Sequence, residues 1–234
     1  MSTVESAQTK TLLPPLVNGQ HLDQPTFHER YEAMPDGTWA ELVGGRVYMP
    51  SPVRNEHGEH DDHVASWIVR YKRSAKGLRS GKNSTVILGH FGETQPDGHL
   101  RIPEELGGQT HIERGFIVGA PELVVEIART SRSYDLNGKK AEYAEAGVKE
   151  YIVVELDPDR VHWFIRRGDH FEDLSPGTDG IYRSEEFPGL WLDPDALLNE
   201  DLDRLSEVLE QGLATPEHAA FAAKLAAARE GRKP

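Results

Sequence analysis

Two apolar runs, LVVEIA from Leu123 to Ala128 and EYIVVEL from Glu150 to Leu156, bracket a stretch whose apolar residues recur at helical spacing from Tyr134 to Ala146, closed by Gly147. Runs this short and this apolar read as strands covered on both faces, and a glycine after the last periodic residue stops a helix. A strand, a helix and a second buried strand in so little chain predict a crossover unit with the two strands parallel and adjacent. The fold class expected is α/β.

Around this unit the period changes. WAELV and RVYMP alternate about Gly44-Gly45, a hairpin signal, and TFHERYEAM before them predicts a short helix. Val64, Ile68 and Tyr71, with Ala65 and Trp67 nearby, form an apolar stripe from His60 to Lys76 that ends at Gly77, which predicts an amphipathic helix. STVILG and LRI read as short strands, residues 103–115 as polar loop and FIVG as an edge strand. RVHWFIRRGDHFEDL predicts a late antiparallel hairpin about Gly168. In the C-terminal GLATPEHAAFAAKLAAARE, Thr215 caps a helix with Pro216 in its first turn, and the alanine-rich face suits docking or dimerisation. The organisation expected is an N-terminal arm over residues 1–25, a core domain over 26–198 and a helical tail over 199–234.

Composition narrows the setting. The 234 residues are 37% hydrophobic, enough for a core, and contain no cysteine, which removes disulfides and thiolate metal sites. MSTVESAQTKTLLPPLVNGQ lacks the basic start and apolar run of a signal peptide, and no stretch reaches the roughly 18 to 20 apolar residues of a membrane helix, so a cytoplasmic setting is expected. The net charge of -13 opposes nonspecific capture of nucleic acid. Yet Arg70, Lys72, Arg73, Lys76, Arg79 and Lys82 follow one another with no acid between them. Such an island is an ordinary solvated face or, beside a catalytic site, a grip on phosphate.

The candidate chemistry starts at Glu126, which interrupts a buried strand near its carboxyl end. An uncompensated carboxylate there costs several kcal/mol, so a cation, a metal ion or protonation must offset it. Ligands of open α/β sheets gather at those strand ends; pairing with Arg129 or Lys149 is the plainer alternative. Asp97 opens a strand in TQPDGHLRI, but Pro-Asp-Gly is foremost a turn signal, and MPDGT around Asp36 repeats it in a plain loop. Lys139 sits about one turn into the helix after Glu126, where an exposed lysine is the commoner fate. In HGEHDDH, the spacing of His57, His60 and His63 would let one helical face offer imidazoles to zinc, although the stretch does not spell HExxH and Asp61 and Asp62 suggest a solvated helix start. No phosphate-binding GxxxxGK[ST] loop, GxGxxG turn or GxSxG elbow is present.

Taken in order, ELVGGRVYMPSP, QPDGHLRI, APELVVEIA, SYDLNGKKAEYAEAGVKEYIVVE and FPGLWLDP resemble the Uma-two type of restriction endonuclease, a bacterial group within the PD-(D/E)xK nuclease superfamily, from about Tyr31 to Leu198. The resemblance implies a restriction-endonuclease-like mixed β-sheet flanked by helices, and a Mg²⁺- or Mn²⁺-dependent endonuclease acting on DNA. It makes Asp97 and Glu126 the metal-binding carboxylates, with Glu41 matching the acidic residue of the first hairpin. Ala128 stands where the superfamily's basic pattern has lysine; the position that matches in this family is Lys139, with Lys140 the alternative one residue on. A homodimer follows by analogy, since two symmetric sites suit two strands. The competing class is a catalytically silent binding or scaffold protein that keeps the nuclease fold.

Overall fold

The computed structural model describes residues 13–49, 55–128 and 131–231, without the side chains of 55–57. Asp23 accepts a hydrogen bond from the Thr26 N–H and caps α1 (Gln24–Glu32). Strands β1 (Glu41–Val43) and β2 (Arg46–Tyr48) form the first hairpin, turned by Gly44 and Gly45 at φ of 56° and 72°. Positive φ at both central residues matches the twist of the flanking strands, and only glycine adopts it freely. The apolar stripe becomes α2 (Asn55–Ser74). Next come β3 (Arg79–Gly81), β4 (Val86–Ile87), β5 (Glu93–Thr94), β6 (Gly98–Arg101), β7 (His111–Glu113), β8 (Phe116–Val118) and β9 (Leu123–Ala128). A π-helical turn, Tyr134–Lys139, runs into α3 (Lys140–Ala146), then β10 (Glu150–Leu156), β11 (Asp159–Arg167) and β12 (His170–Asp173) follow. The ribbon β13 (Tyr182–Arg183) and β14 (Trp191–Leu192) leads to α4 (Pro194–Leu198), α5 (Leu202–Leu213) and α6 (Pro216–Glu230), the last capped by Thr215 as expected.

The strands form two mixed sheets where one was expected. One has the order β2-β1-β5-β4-β8-β7 and the other β12-β11-β10-β9-β6-β3. In the second, β9 and β10 are parallel neighbours, with Glu126 opposite Val153, and α3 makes the crossover. The chain passes from the first sheet to the second between β5 and β6, at residues 95–97, so a side chain there can reach both.

Residues 103–115 are not all loop. They contain β7, and β8 is not the edge, because β4 pairs parallel on one side of it and β7 antiparallel on the other. All of His111, Ile112 and Glu113 are exposed. A strand with no buried face carries no apolar alternation, so only its hydrogen bonds reveal it.

Period two along β9 decides where Glu126 points. Leu123, Val125 and Ile127 enter the core against α2, joined by Ile152, Val154, Trp67 and Trp163. Val124 and Ala128 face the other way, into a second core with Tyr143, Ala144 and Val153. Glu126 shares that second face, toward the helix that returns from the strand's own end. Leu205, Leu209 and Leu225 of α5 and α6 belong to the first core, so these helices are packed onto the domain.

Candidate active site

Four acids and one lysine meet where the two sheets approach. Lys139 Nζ lies 2.9 Å from Oε2 of Glu41, 3.0 Å from Oε1 of Glu126 and 4.0 Å from Oδ1 of Asp135. The Tyr143 hydroxyl donates to the same Oε1 of Glu126 at 2.7 Å and contacts Thr94 Oγ1 at 3.2 Å. Glu41 is held from its other side by the Gln95 N–H, 2.7 Å from Oε1. Asp97 reaches across the sheet and accepts the Ile127 N–H on Oδ2 at 2.7 Å. Glu142 of α3 accepts the Gly44 N–H at 2.7 Å, which ties the hairpin that carries Glu41 to the helix that follows Lys139.

The order Asp135, Lys139, Tyr143 repeats every fourth residue, which puts all three on one face despite the π-helical turn. Asp135 and Tyr143 are the residues that sequence reasoning missed, and this spacing was the signal that could have found them. Lys140 turns away and places its ammonium 3.5 Å over the Phe164 ring, so of the two lysines only Lys139 reaches the acids. The partners of Glu126 among the described residues are Lys139 and Tyr143. Lys149 is not among them, and Arg129 lies outside the described residues.

The group faces a cavity of about 700 Å³ lined by Glu41, Asp97, Glu126, Asp135 and Lys139, with Trp39 on its wall. Burial pushes the Glu126 carboxyl well above its ordinary range; Lys139 pulls it down, but Asp97, Asp135 and Glu41 push it up again. Burial drives Asp135 up to about 6, against the pull of Lys139. Burial alone would lower the Lys139 ammonium, yet Glu126, Glu41 and Asp135 outweigh it and hold it well above its ordinary value. One ammonium thus stands among four carboxyl groups, most of them buried. That excess of hard oxygen donors over positive charge fits a small divalent cation. Among the described residues, no three acids or histidines stand in the mutual arrangement of a metal-binding group, and Lys139 lies between Glu41 and Glu126.

The other expected candidates separate. Asp36 is exposed on a turn, whereas Asp97, in the same tripeptide, lines the cavity. His60 is buried with its ring 5.8 Å from that of His63, and the His57 side chain lies outside the described residues. Asp61, expected in solvent, is buried on the cavity wall and bound to Lys82 at 2.8 Å. Of the basic island, Lys82 is therefore engaged beside the cavity, while Arg70 pairs with Glu210 of α5 at 2.7 Å.

Two mixed sheets flanked by helices, with acids and a lysine gathered at the carboxyl end of a central strand, define a protein of nuclease-like fold. The chain belongs to the Uma2 family, described as "Putative restriction endonuclease", whose model matches residues 26–195. A similar solved structure is that of "a putative nuclease belonging to DUF820" from Anabaena variabilis. It is 15% identical, with a TM-score of 0.57 over 73% of this chain and 96% of that one, a likeness of fold. No curated protein matches the chain. Among the described residues, no helix is long and apolar enough to cross a membrane.

Proposed function

We propose that the chain is a metal-dependent endonuclease that hydrolyses phosphodiester bonds of DNA in the cavity below Trp39. The observation that carries this reading is the convergence of Glu41 and Glu126 on Lys139, with Asp97 lining the same pocket, so that four separate segments supply one site open to a ligand. Nothing in the packing of the fold calls for that many buried charges together.

Asp97 and Glu126 are the proposed ligands of Mg²⁺ or Mn²⁺, with Glu41 in support. Held there, the ion would supply Lewis acidity to the phosphate and acidify an attacking water. Tyr143 and Lys139 both donate to Oε1 of Glu126, and no described residue donates to Oε2. The Ile127 N–H fixes Asp97 through Oδ2. Lys139, kept protonated by its acids, holds a positive charge at the wall where negative charge develops on the phosphorus oxygens.

Incubation of supercoiled plasmid with the protein and Mn²⁺ tests the reading: wild type nicks and Glu126→Ala does not. Equal nicking by both removes the assignment. A second reading, a silent binding protein on the same fold, draws on the ion pair that places Lys139 between Glu41 and Glu126. It expects no heat from Mn²⁺ in calorimetry. Homodimerisation is a separate proposal, resting on the match of two sites to two strands, and sedimentation velocity tests it.

A further inference from the structure

We propose that the cavity takes an unpaired nucleotide and that Trp39 is the platform on which its base stacks, so the preferred substrate is a single strand or an unpaired segment of DNA. This rests on the phosphodiesterase reading above and adds the substrate class to it.

Trp39 lines the same cavity as the acids and is 49% exposed, although an indole is among the side chains most strongly driven out of water. It sits on the short connection before β1, the strand that carries Glu41. The pocket thus combines a half-exposed indole with buried charged groups, Glu126 only 3% and Lys139 5% exposed. A cavity of about 700 Å³ lies within the roughly 300 to 1,000 Å³ of sites that enclose a small ligand, which suits a nucleotide with its base inside. Bases in a duplex are stacked on their neighbours and offer no free face to an indole. To reach Trp39 a base must be flipped out or already unpaired.

The charge balance points the same way. A chain with a net charge of -13 gains little from long-range attraction to phosphate, and Lys82 and Arg70 of the basic island are already paired with Asp61 and Glu210. Contacts that do not depend on charge then add to what Lys72, Arg73, Lys76 and Arg79 supply, and stacking on an aromatic ring is such a contact.

The tryptophans provide the readout. Trp67 and Trp163 are buried and Trp191 lies under the Arg183 guanidinium, 4.4 Å away, which leaves Trp39 as the accessible indole. Titration of the full chain with oligo(dT) in Ca²⁺ buffer is expected to quench its fluorescence, and a fully paired hairpin of equal length is expected to quench much less. Trp39→Phe removes the quenching and keeps the binding, whereas Trp39→Ala weakens oligo(dT) binding roughly tenfold or more. Exposure of the side chain makes both variants compatible with the fold. Absence of quenching by oligo(dT), or equal binding of hairpin and single strand, overturns the proposal. Asp97→Asn separates the two levels: if it abolishes plasmid nicking while Trp39 ignores oligo(dT), the nuclease reading stands and the stacking platform falls.

Discussion

The ammonium of Lys139 lies 3.0 Å from Oε1 of Glu126, and both side chains are almost fully shielded from water. Each charge is tolerated because the other is there. Replacing Lys139 with methionine keeps the length and removes the charge, which leaves Glu126 and Glu41 without their cation. Losing one partner of a buried pair costs about 3–5 kcal/mol. Without Lys139, burial, Asp97, Asp135 and Glu41 all raise the Glu126 carboxyl, with the Tyr143 hydroxyl left as its donor. A folded-state value above the unfolded one means stability that is present in acid and lost as pH rises. Lys139→Met is therefore expected to show its full loss in urea melts at pH 8 and a smaller one at pH 5, with Glu126→Gln recovering part of it. The same loss at both pH values would contradict this account.

The two Pro-Asp-Gly tripeptides form a control within the chain. Asp36 is exposed, and Asp97 accepts the Ile127 N–H beside the cavity. Asp36→Asn is expected to change neither stability, within about 0.5 kcal/mol, nor nicking. Asp97→Asn keeps an oxygen for the Ile127 N–H, so the fold survives, while the charge proposed to bind metal is gone. Its expected signature is a wild-type urea midpoint with loss of both Mn²⁺ heat and nicking. Equal nicking by the two variants would show that the cavity is not where cleavage occurs.

The contrast also marks how far the sequence could be read. The crossover β9-α3-β10, the glycine-turned first hairpin and the Gly168 hairpin were legible because burial on both faces and turns with positive φ each leave a local signature. Glu126 stood out as a charge inside such a signature. The division into two sheets was not legible, since it depends on which short strands pair over long separations, and β7 has no buried face to betray it. Asp97 and Asp36 are locally identical, so only the sheet crossing at residues 95–97 distinguishes them. Asp135 and Tyr143 were hidden for a different reason: on a helix outside any obvious apolar interruption, an acid and a tyrosine look like an ordinary polar face.

Tyr143 offers a test of positioning. Its hydroxyl donates to Glu126 Oε1 at 2.7 Å, while its ring packs 5.1 Å from that of Tyr151. Tyr143→Phe keeps the ring and deletes the donor. The expected cost is about 1–3 kcal/mol in stability, since Glu126 stays buried with one bond fewer. If the hydroxyl orients a metal-binding carboxylate, Mn²⁺ affinity should also fall roughly 10- to 100-fold by calorimetry. An unchanged Mn²⁺ affinity would make the hydroxyl a structural contact only.

A second buried acid, away from the cavity, contributes to how stability depends on pH. Glu150 opens β10 and accepts four hydrogen bonds: from the N–H groups of Glu185 and Glu186 at 2.7 and 2.9 Å, the Ser184 hydroxyl at 2.8 Å and the Trp163 indole at 3.3 Å. The bonds from residues 184–186 pin the connection between β13 and β14 to the sheet. Burial pushes the Glu150 carboxyl up to about 7 from an ordinary 4.5, and its hydrogen-bond donors offset only part of that. The folded chain therefore binds this proton more tightly than the unfolded chain. The resulting stability is complete below pH 4.5 and is lost as pH rises through about 7, a total on the order of 3 kcal/mol. Glu150→Gln cannot ionise and still offers one oxygen to the two backbone N–H groups, so its penalty from the altered contacts with Ser184 and Trp163 is independent of pH. Measured by urea midpoint, the variant is expected to gain on wild type steadily from pH 5 to pH 8. A difference that stays flat across that range would mean that Glu150 is ionised in the folded protein throughout, with its four donors outweighing the cost of burial.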